Sequence, residues 1–230
     1  MKAMILAAGR GERLRPLTDH CPKPLLELGG RPLIVWHLQR LAGAGYRQVV
    51  INHAHLGQLL VDRLGDGRDY GLSILWSAEP PGALETAGGI AKALPLLGEE
   101  IFLVINGDIF CDWDPATAAA IATQMHGRGD LAHLVMVANP PQHAAGDFFL
   151  SAGRVQTQAA GQRLTFSGIG LYQPALFSAL RPDQPAKLAP LLRTAMDAGR
   201  VSGEQHAGRW HDIGTAQRLA ALDGELGRGL

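Results

Sequence analysis

The chain is poor in the features that mark several large classes of protein. It has only two cysteines, Cys21 and Cys111, which make no metal or redox spacing and cannot build a disulfide framework. No apolar run approaches the roughly 20 residues that span a bilayer. The formal net charge is zero, with 21 basic and 21 acidic side chains, so the overall field gives no footing for nucleic acid or a membrane surface. The first residues lack the charged stretch, long apolar segment and small-residue cleavage site of a secretory signal. No linker, repeat or low-complexity tract divides the sequence. The expectation from these absences is a cytoplasmic protein of one domain, residues 1–230, large enough to bury a sizeable core.

Apolar, β-branched-rich runs alternate with amphipathic stretches, the pattern of a mainly parallel sheet with helices on both faces. Strands are expected at Lys2–Ala7, Gln48–Asn52, Leu72–Trp76, Ile101–Ile105 and Leu131–Val137. Pro32 suits the first position of a helix through Ala42. Further helices are expected at Gly57–Leu64, Thr86–Leu94, Pro115–Met125, Lys187–Ala198 and Thr215–Leu226. From Asn139 the pattern shortens. Asp147–Leu150, Gly153–Gln156, Arg163–Phe166 and Gly168–Tyr172 read as hairpins or a small mixed sheet added to the first half.

The loop Gly9–Pro24, directly after the first strand, holds Arg10, Arg13, Arg15 and Lys23. Ligands of open α/β sheets collect beyond the carboxyl ends of the strands, so this loop is well placed. Gly9 and Gly11, lacking a Cβ, let backbone N–H groups approach a polyphosphate. Leu14 stands where a dinucleotide fingerprint needs its third glycine, and no Gly-Lys-Ser/Thr follows to make a P-loop. Prolines on both sides of Lys23 bias it toward extended backbone and limit the wandering of a point charge. On these residues alone, a solvated arginine-bearing turn is an equal reading.

Leu6-Ala7-Ala8-Gly9-Arg10-Gly11-Glu12-Arg13-Leu14-Arg15-Pro16-Leu17-Thr18, followed by Pro22-Lys23-Pro24-Leu25, resembles the signature of the sugar-1-phosphate nucleotidylyltransferases. The resemblance extends through Asn106-Gly107-Asp108 to Trp210-His211-Asp212-Ile213-Gly214. It implies a Rossmann-like three-layer α/β sandwich of the nucleotide-diphospho-sugar transferase type. Residues 1–138 would be its nucleotide-binding half, and 139–230 its sugar-binding half with the second metal aspartate. The implied reaction is attack of a sugar 1-phosphate on the α-phosphorus of a nucleoside triphosphate, with release of pyrophosphate. The attacking oxygen is already anionic near neutrality, because the second phosphate pKa is about 6. No general base is therefore needed, and catalysis rests on positioning and charge.

The resemblance also distributes roles. Arg13, Lys23 and Asp108 would be catalytic, and Asp108 with Asp212 would hold Mg²⁺. Ala8, Gly9, Gly11, Glu12, Arg13 and Lys23 would meet the triphosphate. Glu79, Gly82 and Glu85 would lie at the base, and Asn106, Gly146 and Asp147 at the sugar. By itself, an aspartate at either metal position serves equally as a helix cap or turn acid. Gly107 would leave room for a close-approaching ligand. His211 could orient phosphate or stand by.

In guanylyl- and thymidylyl-transferring members a glycine usually stands near position 85; here the stretch reads Leu84-Glu85-Thr86. A carboxylate can accept from uracil's imino N–H or from guanine's N1–H and N2–H₂, so the chemistry alone does not choose. Compact length, Leu84-Glu85-Thr86, Gly146-Asp147-Phe148 and Phe166-Ser167-Gly168-Ile169-Gly170 look most like the members that pass uridylyl from UTP to N-acetylmuramate 1-phosphate in cell-wall recycling. Guanylyl transfer to mannose 1-phosphate is the alternative. A non-catalytic nucleotide-sugar sensor would be expected to lose Lys23 or a metal aspartate. The partners expected are small molecules, not nucleic acid or membrane, acting on a monomer.

Overall fold

Strands covered on both faces read as continuous apolar runs, and the first strand shows why. Ala3 and Ile5 pack into one core with Ile34, Leu38, Leu60 and Ile121. Met4, between them, points to a second core with Ile90, Val104, Leu192 and Ala195. The sheet therefore carries a helical layer on each side.

A computed structural model describes residues 1–80, 82 and 84–227. The first half runs β1 (Ala3–Leu6), β2 (Glu27–Leu28), β3 (Arg31–Pro32), α1 (Leu33–Gly43), β4 (Gln48–His53), α2 (Gly57–Leu64), β5 (Ser73–Ala78) and α3 (Glu85–Leu97). Next come β6 (Phe102–Asn106), β7 (Ile109–Cys111), α4 (Ala118–Arg128) and β8 (Ala132–Val137). The chain closes with β9 (Phe148–Ser151), β10 (Arg154–Gln156), β11 (Arg163–Tyr172), α5 (Leu188–Asp197), β12 (Val201–Gln205), β13 (Trp210–Asp212) and α6 (Ala216–Leu226).

Among the described residues, nine strands form one sheet in the order β5-β4-β1-β6-β11-β8-β12-β10-β9. The four strands from β5 to β6 pair in parallel. β11 then runs antiparallel to both β6 and β8, so the late strands extend the main sheet instead of forming a separate one. The chain moves outward from β1 to β4 and β5, then returns to β6 on the other side. That reversal opens a crevice beyond the carboxyl ends of β1 and β6.

Several sequence expectations are corrected. Pro32 is extended, with ψ 140°, and the helix begins at Leu33. Gly29-Gly30, with φ 60° and 73°, makes a two-residue hairpin turn that pulls Pro32 into β3. α3 continues through Pro95 to Leu97. Arg163–Phe166 and Gly168–Tyr172 are one strand with a bulge between Phe166 and Ile169. β12 was not expected: Val201-Ser202-Gly203-Glu204-Gln205 has little β-propensity, but β8 and β10 pair with it on either side.

β7 and β13 were also unforeseen, being three residues each and too short for a periodic signal. They pair antiparallel, with Asp212 opposite Ile109. Behind this ribbon Leu28, Leu33, Phe110, Ile213, Leu222 and Leu226 form a third apolar cluster. It seats α6 against the β2–β3 hairpin, where Gly29 N donates to Asp223 at 2.7 Å.

Candidate active site

The basic turn starts where β1 ends. Gly11 adopts φ 67°, and a Cβ there would press to 3.0 Å from Thr18 and 3.2 Å from Lys23. Thr18 Oγ1 donates back to Gly11 O at 2.9 Å, closing the turn on itself. Lys23 is not extended as the flanking prolines suggest. It opens a short 3-10 turn, with Leu26 N donating to Lys23 O at 3.1 Å. The stem is buried at 7 % exposure, and Nζ emerges to donate to Asp108 Oδ2 at 2.6 Å. Of the four cations in the loop, Arg13 and Lys23 line the crevice. Arg15 instead turns to Asp19 at 3.1 Å, and Arg10 is exposed.

Asp108 follows β6, and Gly107 fits it there. A Cβ at Gly107 would stand 2.6 Å from Leu6 O, so the glycine makes room for the backbone of β1, and it also lines the crevice. The β7–β13 ribbon then brings the distant Asp212 beside Asp108. Ile213 N donates to Asp108 O at 3.0 Å. Arg218 Nη1 holds the Asp212 carboxylate and also donates to its carbonyl at 3.2 Å. The Arg13 and Arg218 guanidinium groups crowd Gly214, lying 3.2 and 2.7 Å from where its Cβ would stand. His211 sits on the opposite face of β13, over Phe110 and 3.9 Å from Glu225.

The crevice has a volume of about 640 Å³. Ala8, Gly9, Gly11, Glu12, Arg13, Lys23, Glu79, Gly82, Glu85, Asn106 and Asp108 all line it. Pro81 and Ala83 of the loop that carries Gly82 lie outside the described residues. Asp212, Gly146 and Asp147 are not among the lining residues. Asp147 accepts from Phe166 N at 2.8 Å and meets His143 at 3.0 Å. Gly146, at φ 62°, is packed against Asn139 and Arg163. Both tie the 139–147 segment to β11.

Glu85 has no hydrogen bond or ion pair among the described residues, and its φ is 59°, left-handed backbone that costs a non-glycine residue energy. Sequence reading missed Asn52, Thr86 and Gly214, which also line the crevice. Asn52, buried at 3 % exposure at the end of β4, belongs to no motif that would single it out. Elsewhere, Cys111, Asp112 and His206 bring ligand atoms within 4.8 Å of one another. Asp112 is already bonded to His206 at 2.6 Å, and burial pushes the Cys111 thiol up to about 11.

A basic turn and a crevice at the strand-order reversal suit a polyanionic ligand. The nucleotidyl transferase family description matches residues 2–226. The chain belongs to that family. It is 54 % identical over 222 residues to an N-acetylmuramate α-1-phosphate uridylyltransferase of Neisseria meningitidis, covering 95 % of each chain. A uridylyltransferase of the same description from Caulobacter vibrioides is 37 % identical, over 97 % of this chain and 96 % of the relative. Among solved structures, a Bacillus anthracis chain assigned as a glucose-1-phosphate thymidylyltransferase superposes with TM-score 0.85. It is 22 % identical and covers 99 % of this nucleotidyl transferase and 95 % of that chain, so the likeness speaks for the fold. The expected nucleotide-diphospho-sugar transferase architecture and family are thus borne out. No helix among the described residues is long and apolar enough to cross a membrane.

Proposed function

We propose that this nucleotidyl transferase passes the uridylyl group of UTP to N-acetylmuramate 1-phosphate and releases pyrophosphate, with Mg²⁺ held by Asp108 and Asp212. The observation that carries the reaction is the Lys23–Asp108 ion pair at the crevice, beside which the β7–β13 ribbon sets the backbone of Asp212. The base and sugar rest on the two uridylyltransferase relatives, matched over nearly the full length of both chains. The donor set fits the ion: two carboxylates offer oxygen ligands of the kind Mg²⁺ takes beside water and substrate phosphate. When bound, Mg²⁺ neutralises charge on the reacting phosphates.

The chain's own residues do the rest. Backbone N–H groups from Ala8 to Gly11 and the Arg13 guanidinium take the triphosphate. Lys23 supplies a fixed ammonium to the reacting phosphates, its stem locked by burial. Residues 1–138 hold the nucleotide. Residues 139–230 provide the sugar side, where Asn106 faces it from β6, and Gly146 and Asp147, outside the lining, hold the 139–147 segment to β11. The role is cytoplasmic cell-wall sugar recycling by a monomer. Pyrophosphate release measured over four nucleoside triphosphates and a panel of sugar 1-phosphates tests this directly. The UTP and N-acetylmuramate 1-phosphate pair is expected to give the highest kcat/KM. A higher value with GTP and mannose 1-phosphate would overturn the assignment.

A further inference from the structure

For a nucleotide to lie along this crevice, three segments must keep one arrangement: the end of β1, the end of β5 and the start of α3. One buried side chain bonds the first two and, through its partner, the third. Asn52 Oδ1 accepts from Ala7 N at 2.8 Å, which ties it to the phosphate end. Because that bond fixes the amide's orientation, Nδ2 faces the other way and donates to Glu79 Oε1 at 2.6 Å. The second Glu79 oxygen accepts from Leu84 N at 2.8 Å, just before α3. Space confirms how closely the chain of bonds is packed. A Cβ at Gly89 would stand 2.4 Å from Glu79 Oε1 and 2.9 Å from Asn52 Nδ2.

We propose that Asn52 is a positioning residue that acts through Glu79, setting the base end of the crevice at a fixed distance from the phosphate end. Glu79 is then a strut: both its oxygens are committed to protein donors, and it orients the loop that meets the base. The proposal rests on the crevice being the nucleotide site. It adds to that reading a means by which the two ends of the nucleotide are gripped as a unit.

The test reverses the polarity of one bond and then restores it. Asn52→Asp keeps the shape and the bond from Ala7 N but sets a second carboxylate against Glu79 with no proton between them. Losing one charge-assisted bond of this kind raises KM for UTP about tenfold at pH 8, with a smaller effect on kcat. Relative to wild type at each pH, the loss shrinks as pH falls and the pair takes up one shared proton. The double variant Asn52→Asp/Glu79→Gln re-creates the pattern, since the new amide donates to the new carboxylate and its oxygen still accepts from Leu84 N. Its KM is expected within about threefold of wild type, the residual scale of a neutral hydrogen-bond change. Amide hydrogen exchange at Leu84, measured without nucleotide, follows the same order: fast in the single variant, slow in wild type and in the double. A single variant with wild-type KM and exchange, or a double variant no better than the single, overturns the proposal. If UTP is instead not the substrate, the exchange pattern still reports on the strut while the nucleotide panel fails on its own.

Discussion

Glu85 opens α3 with φ 59°, in backbone territory that costs an L side chain about 1–2 kcal/mol relative to glycine. Two substitutions separate that cost from the side chain's own contribution. Glu85→Ala and Glu85→Gly both remove the carboxylate, which has no partner among the described residues, so neither loses a contact. Alanine keeps the strain. Glycine releases it, offset by about 0.5–1 kcal/mol of extra freedom in the unfolded chain. The glycine variant is therefore expected to be more stable than the alanine variant by about 0.5–1 kcal/mol. In a domain of this size that is a rise in Tm of about 2–3 °C, readable by calorimetry and by urea denaturation with unchanged m-value. On the proposal that Glu85 lies at the base, both variants are expected to change the ratio of kcat/KM for UTP to that for GTP. Alanine as stable as glycine would refute the strain argument, since space is not limiting at an exposed position. Strain kept at a residue that lines the crevice is the mark of a position held for function.

Three further outcomes follow from the geometry. Asp108→Asn is expected to lower turnover by at least two orders of magnitude, the scale of one electrostatic contact to the reacting group; unchanged turnover at saturating Mg²⁺ would remove Asp108 from the metal site. His37, buried in α1, has its pKa lowered to about 4 chiefly by burial. The neutral ring is favoured in the fold, so its contribution is intact above about pH 6.5. That contribution is lost toward pH 4, by up to about 3 kcal/mol. Urea unfolding from pH 7 to 4 should show this drop, and His37→Leu should flatten it. Gly168→Ala places a methyl at φ 85° and within 2.7–2.9 Å of Asn106. It is expected to cost about 1–3 kcal/mol and to raise KM for the sugar 1-phosphate more than KM for UTP, in steady-state assays varying each substrate in turn.

The parallel core was legible because its physics is local. β1, β4 and β6 are buried on both sides, and such strands read as unbroken apolar runs whatever their partners. The basic turn was legible at Gly11, whose φ of 67° answers to a constraint within the turn itself, whereas Lys23 opens a 3-10 turn despite its flanking prolines. What escaped depends on distant partners. β12 is a strand because β8 and β10 offer it ladders, and nothing in Val201–Gln205 says so. Asn52 becomes important only when Ala7, Glu79 and Gly89 gather around it. Which cation faces the crevice was not legible either: Arg15 turns to Asp19 four residues along, a pairing that spacing alone permits but does not require.

The β7–β13 ribbon has a bearing on how the molecule comes to be active. Its two strands are separated by nearly half the polypeptide, and the third apolar cluster that backs them draws on α6. The basic turn and Asp108 belong to early-synthesised parts of the protein, whereas Asp212 is delivered only when the tail closes over them. On the proposed metal site, a partly made or tail-clipped molecule would have the crevice but only one of the two carboxylates, so competence would arrive in one step at the end of assembly.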